Sequence, residues 1–179
     1  MDTTLIKSAT KNLEDDHIYI LQLTQIMDKI SGMSSPDIFH LESIVDIIRN
    51  FADGIHHAKE EHAFFPLLSQ RGFSMQNGPV AVMLNEHIAG RNFVKGMAES
   101  IDSYKAGNGE SLARIFLNMK GYAELLRSHI AKENNVLFKM ADRVLSDTDQ
   151  KDLAGRFTSQ DNNRQVYIDR IASLANFYL

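Results

Sequence analysis

At 179 residues the chain is long enough for one domain with a real core, and its 44% hydrophobic and 23% charged residues are those of a globular protein. A net charge of -4 excludes a broad nucleic-acid-binding surface, and no run of about 18 apolar residues is present to cross a membrane. Zero cysteines exclude disulfides, thiolate metal sites and cysteine redox chemistry. The start, Met1-Asp2-Thr3-Thr4-Leu5, lacks the basic and apolar stretches of a signal peptide, so a cytoplasmic location is expected.

Few prolines and glycines and apolar residues at helical spacing predict an all-α protein. A first helix is expected from about residue 11 to 30, with Leu13, His17, Ile20, Leu21, Thr24 and Met27 on one stripe. Ser35 and Pro36 suit the cap and first turn of a second, running to about residue 70 and kinked or shortened by Pro66. Asn77-Gly78-Pro79 opens a third, which ends near Ala106-Gly107-Asn108-Gly109. The fourth spans about residues 110–145. Ser146-Asp147-Thr148-Asp149 reads as a further helix start with an acidic first turn, and Gln160-Asp161-Asn162-Asn163 as a break. The expected architecture is a single domain over 1–179. It consists of an antiparallel up-down-up-down four-helix bundle over about 10–145 and a C-terminal helical segment over about 146–179. That segment either packs on the bundle or makes a homodimer contact.

The chemistry lies in a repeat. His56-His57-Ala58-Lys59-Glu60 and His129-Ile130-Ala131-Lys132-Glu133 share the string His-x-Ala-Lys-Glu, 73 residues apart. Each copy is followed at matched offset by an apolar pair, Phe64-Phe65 and Leu137-Phe138. A single histidine after an acidic residue also recurs, as Asp16-His17 and Glu86-His87, 70 residues apart. On a helix, His56 and Glu60 share one face, as do His129 and Glu133. His87 lies 20 residues before Gly107 and His129 lies 22 after it, so both sit roughly 30 Å from the turn on antiparallel helices.

A lone histidine on a helix is usually an ordinary surface or core residue. Six residues at corresponding heights in two halves are better read as one pseudo-symmetric site: His17, His56, Glu60, His87, His129 and Glu133. A carboxylate can bridge two ions, so Glu60 and Glu133 would hold a pair with two histidines on each. Imidazole and carboxylate without sulfur suit iron or manganese, with zinc a weaker fit. His57 and Glu61 also form an i, i+4 pair. The repeat sets the register on His56 and Glu60 and turns the other pair about 100° away, towards the surface or a supporting role. His40 and His62 read as ordinary polar positions.

Over roughly residues 10–145 the chain resembles the hemerythrin-like family of non-haem di-iron proteins. The resemblance is carried by Asp16-His17, by residues 51–61, by Gly78-Pro79, by Met83-Leu84-Asn85-Glu86-His87-Ile88-Ala89-Gly90-Arg91 and by residues 126–134. It implies a four-helix bundle around a carboxylate-bridged pair of iron ions that meets O2, H2O2 or NO. Oxygen-carrying hemerythrins have five histidines, one Glu and one Asp, with a second histidine four residues after that of the third helix. Here that position is Arg91, and Glu133 stands in place of the Asp. The four-His, two-Glu set is more similar to bacterial hemerythrin-like enzymes and to di-iron proteins linked to repair of iron centres after nitrosative damage. Repair proteins of that type usually carry an additional cysteine-bearing domain, which this cysteine-free sequence lacks. Ferritin-like proteins use Glu-x-x-His on two helices, a different spacing.

Tyr122 lies seven residues before His129, on nearly the same face. It reads as a packing residue, as a proton or electron donor to bound oxygen, or as an extra ligand. Arg49, its counterpart in the first repeat, is expected to pair with Asp53. Arg91 would stabilise an anion or point outward, and Asp16 and Glu86 would orient ligand histidines or be solvated. The expected activity is that of a di-iron peroxidase, a catalase-like enzyme or an NO-related oxidoreductase handling oxidative or nitrosative stress. The alternatives are reversible O2 storage or sensing, and an iron-responsive interaction module.

Overall fold

The computed structural model describes residues 8–179, and the first five residues considered above lie outside them. Among the described residues there is helix, turn and coil but no strand, and no helix is long and apolar enough to cross a membrane. The chain forms an all-α bundle. Helix α1 (Ala9–Ile30) is capped by Ser8, whose side chain accepts from the Lys11 N–H. Helix α2 (Ile38–Ile47) is capped by Asp37 and not by Ser35. Asp37 accepts from the Phe39 N–H at 2.8 Å, which leaves Pro36 outside the helix.

The chain stays helical beyond α2, but in wider π turns over Ile48–His57 and Glu60–Phe64. It returns to α geometry as α3 (Phe65–Gln70). The expected kink at Pro66 does not shorten it. In an α-helix the proline ring would clash with a carbonyl one turn back, and the π turn just before Pro66 relieves that crowding. Helix α4 (Pro79–Lys105) starts after Gly78, whose φ of 83° suits glycine. Helix α5 (Ser111–Lys132) passes through a third π turn, Glu133–Leu137, into α6 (Phe138–Val144).

The cross-helix pairings place the helices. Thr10 meets Asp142, His17 meets Asn134 and Arg127 meets Asp28, so α1 runs opposite to α5 and α6. Lys105 meets Glu42, Arg91 meets Asp53 and His87 meets Glu61, so α4 runs opposite to the helix that starts as α2. Apolar residues gather in two clusters. One includes Ile20, Phe51, Met119 and Leu126, and the other Leu13, Phe64, Phe65, Leu137 and Phe138. The histidines and glutamates of the repeat form a polar layer between them.

The C-terminal segment packs on the bundle. Leu153 and Phe157 of α7 (Asp147–Gln160) join the second cluster, and Ile168, Ile171 and Leu174 of α8 (Arg164–Tyr178) join the first. Ser146 opens α7 as expected, and the structure adds a capping box reciprocated by Asp149. Arg71 binds Asp149 through Nε and Nη2, at 3.1 and 2.5 Å. Arg71 first, then the Ser146 backbone N–H, hold the Asp149 carboxyl at about 2. That lies below its value of about 3.9 in an unfolded chain, so the contribution to stability is present above pH ~4 and is lost as pH falls towards 2. Thermal melts of Asp149→Asn should therefore fall below wild type at pH 7 and converge with it near pH 2. A constant gap across that window would contradict the assignment.

Candidate metal centre

The π turns are where the sequence repeat meets the site. Glu60–Phe64 and Glu133–Leu137 occupy equivalent positions in the two copies. In each, the glutamate carbonyl accepts from an N–H five residues on, that of Phe65 or Phe138. The extra residue per turn lets the glutamate and the aromatic after it both face inward. Phe138 stacks on His17 with ring centroids 5.6 Å apart, and Phe65 stacks on His87 at 6.0 Å.

All six residues expected in the site are buried and converge. His17, His56, Glu60 and Glu133 offer ligand atoms within 4.8 Å of one another, and so do His57, Glu60, His87 and His129. Nε2 of His17 and His56 are 3.1 Å apart, and Nε2 of His87 and His129 are 3.2 Å apart. The opposite edges of these rings set their tautomers. His87 Nδ1 lies 2.7 Å from Glu61 Oε1 and His129 Nδ1 lies 2.9 Å from Glu86 Oε2. An ionised carboxylate only accepts, so both Nδ1 atoms carry a proton, and in the neutral tautomer that this fixes each Nε2 presents a lone pair. Two lone pairs facing at 3.2 Å repel unless a cation lies between them. Two nitrogens each about 2.1 Å from one ion, at roughly a right angle, are about 3 Å apart.

The glutamates make the same demand. Glu60 and Glu133 are fully buried, and none of their four carboxylate oxygens accepts a hydrogen bond. His17 Nδ1 donates to Asn134 Oδ1 at 2.7 Å and its Nε2 lies 3.1 Å from Glu133 Oε2; burial opposes a charge on that ring, but Glu133 outweighs it and raises the imidazole pKa. Taking a carboxylate out of water costs several kcal/mol. Burial, then the adjacent Glu133, push the Glu60 carboxyl well above the usual range, so protein groups alone do not keep both ionised. Burial also holds His56 down at about 4, leaving a neutral imidazole, the form that binds metal. Buried acceptors without donors and paired lone pairs are the arrangement that a pair of cations bridged by carboxylates would satisfy.

The supporting residues reach across to facing helices. Asp16 precedes His17 but lies 3.5 Å from His56 Nδ1, and Glu86 precedes His87 but holds His129. Neighbours on a helix point about 100° apart, so each acidic residue serves the histidine of the facing helix. The lysine of each repeat copy then holds that acid: Lys59 binds Asp16 at 2.9 Å and Lys132 binds Glu86. The residue after each repeat glutamate, Glu61 or Asn134, orients the single histidine of the other half.

The surface alternative for His57 is corrected. It is 4% exposed, and its ring stacks on that of His87 at 3.8 Å. The π stretch Ile48–His57 has no counterpart in α5, and its different winding admits both His56 and His57 to the core. Asp53 binds His57 Nδ1 at 3.1 Å and Arg91 at 2.7 Å, and so is not reserved for Arg49. Arg91 also binds Glu61. Tyr122 is buried but stands outside both ligand groups, in the wall of an adjoining pocket, where burial raises its phenol pKa. His40 binds the Tyr178 hydroxyl, and His62 is exposed.

A family model for the hemerythrin HHE cation-binding domain matches residues 8–141. The chain belongs to the hemerythrin family. Relatives include an uncharacterised protein of Mycobacterium tuberculosis, 24% identical over 140 residues, 75% of this chain and 54% of that protein. Its counterpart in Mycobacterium bovis matches equally. An iron-sulfur cluster repair protein of Neisseria gonorrhoeae is 29% identical over 124 residues, 65% of this chain and 76% of its own length. The chain spans about half the length of the mycobacterial relatives. No solved structure matches it. The hemerythrin domain and the two buried His/Glu groups together make this a helical metal-binding domain.

Proposed function

We propose that this hemerythrin-family chain is a non-haem di-iron protein that binds or reacts with O2, H2O2 or NO and serves in oxidative or nitrosative stress handling. Its iron ions would be bridged by Glu60 and Glu133, with His17 and His56 on one and His87 and His129 on the other. One observation carries the reading: two fully buried carboxylates without hydrogen bonds, flanked by two pairs of facing Nε2 atoms. Nitrogen and oxygen donors without sulfur favour iron or manganese over zinc. The repair function named for the Neisseria relative lends support to the stress role.

When bound, such an iron pair supplies redox equivalents and Lewis acidity. The residues of this chain would do the rest. Glu61, Asn134 and Glu86 fix ring orientation, Phe65 and Phe138 limit water at His87 and His17, and Arg91 clamps Asp53 and Glu61. A second reading, reversible O2 binding, draws on His57, a fifth imidazole beside His87. Anaerobic reduction followed by exposure to O2, H2O2 and NO separates the two. Catalytic peroxide loss or irreversible oxidation is the expected result, and a spectrum that reverses on removing O2 supports a carrier. Inertness to all three reagents would overturn the proposal. Tyr122→Phe should slow peroxide turnover if the phenol donates a proton or an electron, and unchanged turnover with an unchanged iron spectrum removes that role.

A further inference from the structure

The two halves of the centre match closely, and their departures lie on one side. His57 occupies the position that Ile130 holds in the second copy. Against His57 opens a pocket of about 160 Å³, walled by Arg49, Asp53, Arg91, Lys95 and Tyr122. Sites for drug-sized molecules run from about 300 Å³ upward, and one water takes up about 30 Å³. The pocket therefore holds a molecule of a few heavy atoms and excludes an organic cofactor.

Its charge is selective. Arg91 is spent on Asp53 and Glu61 and Lys95 pairs with Glu99 across 3.9 Å of exposed surface, whereas Arg49, exposed at the mouth, has no ion-pair partner among the described residues. On a chain of net charge -4, that leaves Arg49 as the unpaired cation at the mouth. At the floor, Asp53 occupies His57 Nδ1, which leaves Nε2 as the nitrogen available to the pocket and the metal side. The opposite side is shut. Asp16 and Lys59 are fully buried beneath Asp161 and Arg164, while their counterparts Glu86 and Lys132 are 18% and 39% exposed.

We infer that this pocket is the vestibule by which a small anion, of azide or nitrite size, reaches the His87–His129 side of the centre and not the His17–His56 side. The inference rests on the proposed metal centre and adds its route and charge preference. Its groups divide the work: Arg49 and Lys95 attract the anion, and His57 and Tyr122 line its final position.

Stopped-flow binding of azide to the oxidised iron-loaded protein, and of NO to the reduced protein, tests it. Iron content is measured first on every variant. Reversing Arg49 and Lys95 to Glu should slow azide binding by roughly ten-fold or more at low salt, with the gap closing at high salt and NO unaffected. Val94→Trp, which fills the pocket from the α4 wall, should slow both ligands. Equal azide rates in wild type and the exposed charge-reversal variant, which leaves the core intact, would overturn the vestibule while leaving the metal centre standing. A wild-type chain without iron would overturn both.

Discussion

Glu60→Leu is expected to raise the melting temperature of the metal-free protein while abolishing its stabilisation by iron. Glu60 is fully buried, without a hydrogen bond, and set against Glu133. A buried polar group without a hydrogen bond costs about 1–3 kcal/mol, a cost that an apolar residue of similar volume does not carry. At roughly 2–4 °C per kcal/mol for a chain of this size, the melt should move up by several degrees. The loaded protein should behave in the opposite way. A ligand at a hundred times its Kd stabilises the folded state by about 2.7 kcal/mol, and a variant lacking the bridge forfeits that gain. Calorimetry with and without ferrous iron under anaerobic conditions reads both effects. A metal-free Glu60→Leu protein much less stable than wild type would show that this carboxylate is a structural group and not a metal bridge.

Lys59→Met should be among the most damaging single changes in the chain. Lys59 is completely buried, and its ammonium binds Asp16 at 2.9 Å, Asp161 at 2.6 Å and Asn12 at 3.0 Å. Asp16 is also completely buried. Burial would raise its carboxyl, but His56, Lys59 and Arg164 outweigh burial and hold it well below the usual range. Removing one partner of a buried ion pair costs about 3–5 kcal/mol, because the other charge stays buried, here with Arg164 alone left to compensate Asp16. The melt should fall by roughly 10 °C. Lys132→Met is the internal control. Lys132 makes the equivalent bond to Glu86 but is 39% exposed, so its loss should cost about 1 kcal/mol or less. Equal destabilisation by the two substitutions would refute the claim that burial sets their difference. The same network ties the α7–α8 connection to His56 through Asp161 and Arg164, so Lys59→Met should also loosen the C-terminal segment, read as faster hydrogen exchange in α8.

Much of the fold was legible because its punctuation is chemical. Gly78-Pro79, Gly107 and Ser146 mark helix ends through backbone preferences that do not depend on tertiary context. The convergence of the six expected residues was legible because the chain states the constellation twice, and the repeat chose His56 and Glu60 over His57 and Glu61. The π turns were not legible. Helical periodicity assumes a constant angle per residue, and a turn with one extra residue leaves composition and motif unchanged. His57 was misread for that reason: counted on an α-helix it faces away, whereas on the wider turn it meets His87. The crosswise service of Asp16 to His56 and of Glu86 to His129 was likewise hidden. Adjacency in sequence suggests a partner that helix geometry points elsewhere.

The buried layer of histidines and glutamates is proposed to be completed by metal. Quantifying iron in protein expressed under iron-replete conditions tests it most directly. About two iron ions per chain are expected, with loss of most of that iron in a Glu60, Glu133 double replacement by Leu. Fewer than about one metal of any kind per wild-type chain, or iron that persists in the double variant, would contradict it.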